Sequence, residues 1–156
     1  MIILLNDTQD KLYRHAQEDY PNECCGILIG QSKDGDKTVL LVYPVANSAG
    51  GGKNTHFRID PPETLRAEMY AEQKNLEIVG FYHSHPDNEA VASAEDIRFM
   101  IPGYSYPIIS VINGSAVEMR CYVKSDDTNL CEEPIKRRDT NADNSLCRGN
   151  ASGICE

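Results

Sequence analysis

The sequence predicts an α/β fold, in which helices and strands alternate around one hydrophobic core. Three observations favour it: helical apolar periodicity recurs along the chain, strand-like apolar runs lie between the helical segments, and Asn113-Gly114 joins two such runs as a hairpin. The chain has 156 residues, of which 40% are hydrophobic, as expected for a globular protein of one domain.

The first part of the chain predicts a helix followed by two strands. The helix carries one apolar stripe and ends at Pro21. A short apolar strand follows at residues 24–30, and a turn at residues 33–36 leads into a second strand at residues 38–45. The stripe consists of Leu12, Ala16 and Tyr20, and the candidate N-caps are Asn6, Asp7 and Thr8.

A glycine-rich loop and a second helix come next. The run at residues 50–53 lacks the Walker A spacing, and the strand-like residues 56–59 follow it, so we interpret residues 46–54 as a loop rather than a phosphate site. Asp60 and Glu63 form a candidate capping box for the helix. Its expected core-facing residues are Leu65, Met69 and Tyr70.

The remaining elements are a strand, a short helix and a hairpin. Residues 77–82 are β-branched and aromatic and predict a strand. A helical pattern opens at Ser93 and is broken by Pro102-Gly103. Residues 106–112 and 116–123 predict two antiparallel strands, of which the second alternates as a strand near a sheet edge does.

The composition changes after Lys124. Residues 125–156 contain no aromatic residue and are rich in Asp, Asn and Ser. We therefore expect a domain at residues 1–124 and a flexible polar segment at residues 125–156 that adds little stability. The cysteines of this segment match no zinc-binding Cys-x-x-Cys pattern; they are Cys131, Cys147 and Cys155.

The net charge excludes two classes of partner. It is −9, and the isoelectric point is about 4.9, so the surface repels nucleic acid and anionic lipid. The first residues lack the basic region of a signal peptide, and no apolar run approaches the ~20 residues of a membrane span. We expect a cytoplasmic protein with reduced cysteines.

The candidate site lies where the strand at residues 77–82 ends. His83 and His85 are two residues apart, so their side chains point to the same face. Ser93 can cap the next helix, and Asp96 lies in its first turn, which brings a carboxylate back towards the strand end. Two imidazoles and one carboxylate form a three-ligand set, as in catalytic zinc sites that leave the fourth position to water.

Each part of this pattern alone has a simpler interpretation. A His-x-His pair on a strand is commonly a pair of surface or core histidines, and Ser-x-x-Asp before a helix is commonly only a capping box. A glutamate just before an apolar strand, such as Glu23, is commonly solvated. The vicinal cysteines beside it, Cys24 and Cys25, are small apolar residues unless some feature lowers a thiol pKa.

The combination resembles the signature of the JAMM (MPN+) zinc metalloproteases in their compact prokaryotic form. Residues 83–86 read His-Ser-His-Pro, Ser93 and Asp96 follow at the spacing of the signature, and Glu23 stands upstream in a segment that also looks like the family's. The resemblance runs over residues 8–123. It implies a three-layer α/β sandwich, with a mixed, curved sheet between helices, broadly similar to the cytidine deaminases.

The resemblance also implies a site and a reaction. One zinc ion per chain would be held by His83, His85 and Asp96, with zinc-bound water as the nucleophile, Glu23 as the general base and Ser93 directed at the developing oxyanion. The implied activity is an (iso)peptidase that cleaves after the C-terminal Gly-Gly of a ubiquitin-like or sulfur-carrier protein.

Two alternative functions, a zinc deaminase and a non-catalytic scaffold, fit the sequence less well. Zinc deaminases require a Cys-x-x-Cys motif, which the chain lacks. A non-catalytic MPN-type scaffold would be expected to have lost ligands, whereas all five positions of the signature are filled here. The motifs do not specify which carrier is cleaved or whether the protein forms oligomers.

Overall fold

The computed structural model describes residues 1–126 and 129–139, which form one mixed eight-stranded sheet with three helices. The helices are α1 (Asn6–Asp19), α2 (Pro61–Glu72) and α3 (Ala94–Phe99). The strands are β1 (Ile2–Leu5), β2 (Cys25–Lys33), β3 (Asp36–Val45), β4 (Glu77–Pro86), β5 (Ser105–Ile112), β6 (Ser115–Lys124), β7 (Leu130–Glu133) and β8 (Ile135–Arg138). Their order in the sheet is β7-β6-β5-β4-β2-β3-β1-β8. In this part of the chain, no helix combines the length and the apolar character needed to cross a membrane.

The sheet is the middle of three layers. Ile27 and Leu28 are adjacent in β2 and therefore point to opposite faces. Leu28 packs in a cluster with Leu12 of α1, whereas Ile27 packs in a cluster with Ala67 of α2. β4 and β5 pair in parallel and β2 and β4 antiparallel, so the sheet is mixed. The predicted α/β sandwich is thus confirmed.

The predicted hairpin between β5 and β6 is also confirmed. Asn113 and Gly114 have φ angles of 49° and 79°, and the two strands pair antiparallel on either side of them. Two consecutive positive φ angles are the type I′ geometry that suits the twist of a hairpin. Asp34 and Gly35, between β2 and β3, also have positive φ angles, of 52° and 84°.

Helix α2 presents a different face to the sheet from the one predicted. Leu65, Met69 and Tyr70 are exposed, with 57%, 53% and 39% of their surface accessible, while Ala67 and Ala71 are buried. Small side chains let the helix lie close to the sheet, and this leaves the larger apolar residues outside. The prediction that the large apolar side chains of α2 face the core is therefore wrong.

Several further local features differ from the expectations. Helix α1 follows Leu5 and has no side-chain cap, so none of the predicted N-cap residues caps it. β1 was not predicted, and residues 56–59 form no strand. The side chain of Asp60 accepts no capping hydrogen bond; its backbone carbonyl accepts from the amide of Glu63 at 2.9 Å instead. The first turn of α2 is therefore held by backbone bonds and by the two prolines that open the helix.

The last two strands join the opposite edges of the sheet. β7 and β8 are separated by Pro134 alone, yet β7 pairs with β6 and β8 pairs in parallel with β1. The amide of Ile2 also donates to the carbonyl of Pro134 at 3.1 Å. The sheet must therefore bend until β1 and β6 lie beside the same short segment, and α1, which contacts β1, β3, β5 and β6, lies within the bend.

The sheet thus continues past Lys124, where the sequence predicted the domain to end. Residues 130–138 have few aliphatic side chains, and they are held by backbone pairing, by the packing of Ile135 on the main core cluster and by one buried carboxylate. Backbone pairing does not depend on the side-chain composition of a segment, so composition did not predict these two strands. Residues 140–156, with Cys147 and Cys155, lie outside the described residues, and flexibility there remains a prediction.

The buried carboxylate belongs to Glu133, which is only 7% exposed. The hydroxyl of Ser105 donates to its Oε2 atom at 2.5 Å, and the Nζ atom of Lys37 lies 3.6 Å from its Oε1 atom. Lys37 also donates to Ser105 Oγ at 3.0 Å. Removing one partner of a buried ion pair typically costs ~3–5 kcal/mol, because the other charge stays buried without compensation.

A truncation series tests this correction of the boundary. We expect a chain that ends after Lys124 to melt roughly 10 °C lower than one that ends after Asp139, since it lacks both strands and the partner of Lys37. Thermal unfolding followed by circular dichroism measures the difference. Equal melting temperatures for the two chains would show that β7 and β8 contribute no stability.

Candidate metal centre

The three predicted ligands converge on one point at the end of β4. The Nε2 atoms of His83 and His85 are 3.1 Å apart. The carboxylate of Asp96 lies 3.2 Å from His83 Nε2 through Oδ1 and 3.5 Å from His85 Nε2 through Oδ2. Strand alternation places the imidazoles side by side, and the first turn of α3 brings the carboxylate to them. Among the described residues, this is the group of His, Cys, Asp or Glu side chains that could hold a metal ion.

The spacing of these atoms fits a small divalent cation. Four ligands at the ~2.0–2.1 Å of Zn–N and Zn–O bonds form a tetrahedron with edges of about 3.3 Å. The two Nε2 atoms are 3.1 Å apart, His83 Nε2 lies 3.2 Å from Oδ1 of Asp96, and one ligand atom from each of the three residues lies within 4.8 Å of the others. The donors are two imidazole nitrogens and a carboxylate oxygen, which is a combination that zinc accepts. The site is also closed on most sides, since the side chains of His83, Asp96 and His85 are 2%, 8% and 11% exposed.

Neighbouring groups orient the candidate ligands. His85 Nδ1 lies 2.8 Å from the carbonyl of Glu89, which favours a proton on Nδ1 and leaves Nε2 free for a metal. Asp96 is fixed by a capping box: its Oδ2 accepts from the Ser93 amide at 2.7 Å, and its own amide donates to Ser93 Oγ at 3.1 Å. The ligand geometry is therefore set before any ion binds.

The capping box establishes one of the two roles predicted for Ser93, which is to cap α3. Its hydroxyl oxygen accepts a hydrogen bond and caps α3, as one of the two predicted roles requires. The hydroxyl proton takes no part in that bond, so it can still be donated to a group in the site. The two roles are compatible.

Electrostatics favour the ligand forms of His83 and Asp96. Burial lowers the pKa of His83 below its usual value, which keeps the imidazole neutral. Burial works to raise the pKa of Asp96, but hydrogen bonds with His83 and His85 outweigh it, and the pKa lies well below its usual range. For His85, burial lowers the pKa, yet the bonds to Asp96 and the Glu89 carbonyl raise it overall.

Glu23 lies beside this group because β2 and β4 pair antiparallel. Cys25 is the register partner of His83, and the amide of Ser84 donates to the carbonyl of Cys24 at 3.1 Å. Continuing this register by one residue places Glu23 opposite His85. Glu23 is 6% exposed and therefore not a solvated surface residue, and burial raises its pKa to about 7.

The loop between β3 and α2 also contributes to the site, which the sequence did not indicate. The ring of Phe57 stacks on His83 with a centroid separation of 4.4 Å and an interplanar angle of 22°. His56 Nδ1 lies 2.7 Å from Oε2 of Glu95, the residue before Asp96. The adjacent pair His56 and Phe57 was the available sequence signal for this contribution, but the pattern of residues 56–59 predicts a strand instead.

Cys24 and Cys25 are buried free cysteines in the structure. Burial raises the pKa of each thiol to about 12. A thiol with so high a pKa is a poor nucleophile. The pair is therefore part of the packing beside Glu23 rather than a redox site.

Comparisons with known proteins agree with this architecture. The family of prokaryotic homologs of the JAB domain matches residues 5–123. The desampylase of Haloferax volcanii is 39% identical over 112 residues, which cover 69% of this chain and 78% of that protein. The CysO-cysteine peptidase of Mycobacterium tuberculosis is 28% identical over 136 residues, which cover 86% of this chain and 90% of that protein.

A solved structure shares the fold along most of the chain. The solution structure of a protein from Desulfitobacterium hafniense superposes with a TM-score of 0.79 at 33% identity, and the match covers 89% of this chain and 94% of that one. The family match spans all five predicted site residues. The chain belongs to the prokaryotic homologs of the JAB domain, the compact prokaryotic branch of the JAMM (MPN+) family.

Proposed function

We propose that this protein is a zinc-dependent peptidase that cleaves after the C-terminal Gly-Gly of a ubiquitin-like or sulfur-carrier protein. The observation that carries the proposal is the convergence of two imidazoles on the carboxylate of Asp96, with contacts of 3.1–3.5 Å among the three side chains, beside the buried carboxylate of Glu23. The names of two relatives, a desampylase and a CysO-cysteine peptidase, support the class of substrate.

In this proposal His83, His85 and Asp96 hold one zinc ion per chain. When bound, zinc polarises a carbonyl oxygen and lowers the pKa of water towards 7. The protein contributes the preset geometry of the three ligands and a mostly enclosed site, where electrostatic interactions are stronger than in water.

Glu23 is the proposed general base and acid. It would take a proton from the attacking water and deliver it to the leaving amine. Burial raises its pKa to about 7 in the metal-free chain, and a carboxylate held beside the candidate ligands is placed to serve both transfers. Ser93 would donate its hydroxyl proton to the developing oxyanion, since its oxygen is already used to cap α3.

Burial of the ligands also supports the preference for glycine. An extended chain must reach atoms that lie below the surface and are partly covered by the ring of Phe57. Glycine has no side chain to collide with such a narrow approach, whereas even a methyl group requires additional space. Selection would then combine a folded carrier bound outside with two slim residues inside.

A substrate panel tests the proposal. Folded ubiquitin-like carriers ending in Gly-Gly or Ala-Ala would be linked either to a lysine side chain or to the amino group of cysteine. We expect cleavage of the Gly-Gly members, at least about tenfold slower cleavage of the Ala-Ala members, and loss of all cleavage with a zinc chelator. The two linkages separate a desampylase-like preference from a peptidase that releases cysteine.

The panel also separates the enzyme from a non-catalytic MPN-type scaffold. A scaffold would bind carriers without turnover. Cleavage that survives chelation, or equal rates for Gly-Gly and Ala-Ala substrates, would contradict the proposed site and its specificity.

A further inference from the structure

A buried asparagine outside the predicted site makes a complete set of hydrogen bonds around it. Asn47 follows β3 and is 9% exposed. Its Nδ2 atom donates to the carbonyls of Glu23 at 3.0 Å and His56 at 2.9 Å. Its Oδ1 atom accepts from the amides of Ala49 at 3.0 Å and Arg58 at 3.2 Å. Both donors and both acceptor positions of the amide are used.

One of these bonds joins the backbone of Glu23 to Asn47, and the other three hold Asn47 within the loop that covers His83. The loop returns a second contact, since the amide of Glu23 donates to the carbonyl of Lys53 at 2.7 Å. At its far end, His56 pairs with Glu95 of α3 and Phe57 stacks on His83. Glu23 is therefore held at its carbonyl and at its amide by one loop, which also touches the helix and the strand that carry the candidate ligands.

We infer that Asn47 is a positioning residue that fixes Glu23 relative to the three candidate ligands by joining it to the loop at residues 47–58. The inference rests on the proposed function of Glu23 as general base. Glu23 precedes β2, and among the described residues its own amide and carbonyl are bonded to the loop rather than to β4. A displacement of about 1 Å in a catalytic group can reduce the rate of the chemical step about 10²-fold.

The chemistry of the position requires an asparagine. Aspartate has nearly the same shape and can still accept from Ala49 and Arg58, but it has no donor for the carbonyls of Glu23 and His56. Asn47→Asp thus removes the bonds to the carbonyls of Glu23 and His56 and keeps the two bonds that Oδ1 accepts within the loop. Asn47→Ala removes all four bonds without adding a charge, so it separates the loss of the link from the effect of a new carboxylate.

Ser48 offers a matched control. Its hydroxyl donates to the carbonyl of Arg58 at 3.0 Å in the same loop, but it makes no contact with Glu23 among the hydrogen bonds of the described residues. Ser48→Ala therefore removes a hydrogen bond of similar length from the loop and keeps the link to Glu23.

Steady-state kinetics form the first arm of the test. We expect Asn47→Asp and Asn47→Ala to lower kcat about 10- to 100-fold with KM within about twofold, and Ser48→Ala to change neither by more than about twofold. In a Glu23→Gln background, either Asn47 change should alter kcat by less than about twofold, because a positioning residue has no effect once the group it positions is absent. Multiplication of the two effects would overturn the inference.

Hydrogen exchange of the zinc-free protein forms the second arm and needs no activity. The Glu23 amide should exchange about tenfold faster or more in Asn47→Ala than in the wild type, and at the wild-type rate in Ser48→Ala. Unchanged exchange at Glu23 in the Asn47 variants would overturn the inference. If the wild type cleaves no carrier but exchange changes as expected, the proposed function fails while the link between Asn47 and Glu23 stands.

Discussion

Replacing Asp96 with asparagine is expected to remove most zinc from the purified protein and to reduce carrier cleavage to the background of the assay. Asparagine can still accept the hydrogen bond from the Ser93 amide, so α3 keeps its cap, but the site loses its only carboxylate ligand. Two neutral imidazoles hold zinc far less tightly than a complete three-residue set. Zinc content by atomic absorption, together with cleavage of a Gly-Gly substrate, measures both effects.

The remaining ligands and a control histidine make the test specific. His83→Ala and His85→Ala combined should also abolish zinc binding. His15 of α1 lies on the other face of the sheet, where its Nδ1 atom is 2.8 Å from the hydroxyl of Tyr82. His15→Gln should leave about one zinc per chain. Full zinc occupancy in the double histidine variant would show that the metal binds elsewhere.

The convergence of the three candidate ligands could be predicted from sequence because each position rests on a local rule. Strand alternation alone places His83 and His85 on one face, and the spacing of Ser93 and Asp96 alone predicts the capping box that the structure contains. These rules need no knowledge of the rest of the fold. The turn at Asn113-Gly114 was predictable for the same reason, since the dipeptide itself favours the observed angles.

The contributions of Asn47, His56 and Phe57 could not be predicted, because they depend on a loop without periodicity that folds back over the site. Nothing in the local sequence indicates that the amide of Asn47 reaches a carbonyl 24 residues earlier. Glu23 is buried in the structure, whereas local patterns predicted a solvated residue at that position. Only the family resemblance pointed to its proposed role.

The errors in α2 and in β7 and β8 have a common cause, which is the use of side-chain apolarity as the measure of packing. In α2, Ala67 and Ala71 face the sheet because they allow close approach, and Leu65 does not. In β7 and β8, backbone pairing to two opposite edges and the buried pair of Glu133 and Lys37 take the place of aliphatic burial.

Glu23→Gln is expected to keep zinc and fold but to lose about 10²- to 10⁴-fold in kcat, the range typical of a general acid–base group. Glutamine preserves the shape of the side chain and the backbone bonds to Asn47 and Lys53. It cannot accept a proton from water or deliver one to the leaving amine, and both transfers would depend on this residue. Zinc content, melting temperature and kcat measured on one preparation separate a catalytic loss from loss of the metal.

The pH dependence of stability provides a check that does not depend on turnover. Burial raises the pKa of Glu23 from 4.5 to about 7 in the folded chain, so the folded state binds more protons than the unfolded state between these values. Its contribution to stability therefore falls as the pH rises from 4.5 to about 7. In the zinc-free protein, Glu23→Gln should remove this fall and be more stable than the wild type at pH 8. Near-wild-type turnover in Glu23→Gln, together with an unchanged dependence of stability on pH, would mean that Glu23 is a solvated residue without a catalytic role.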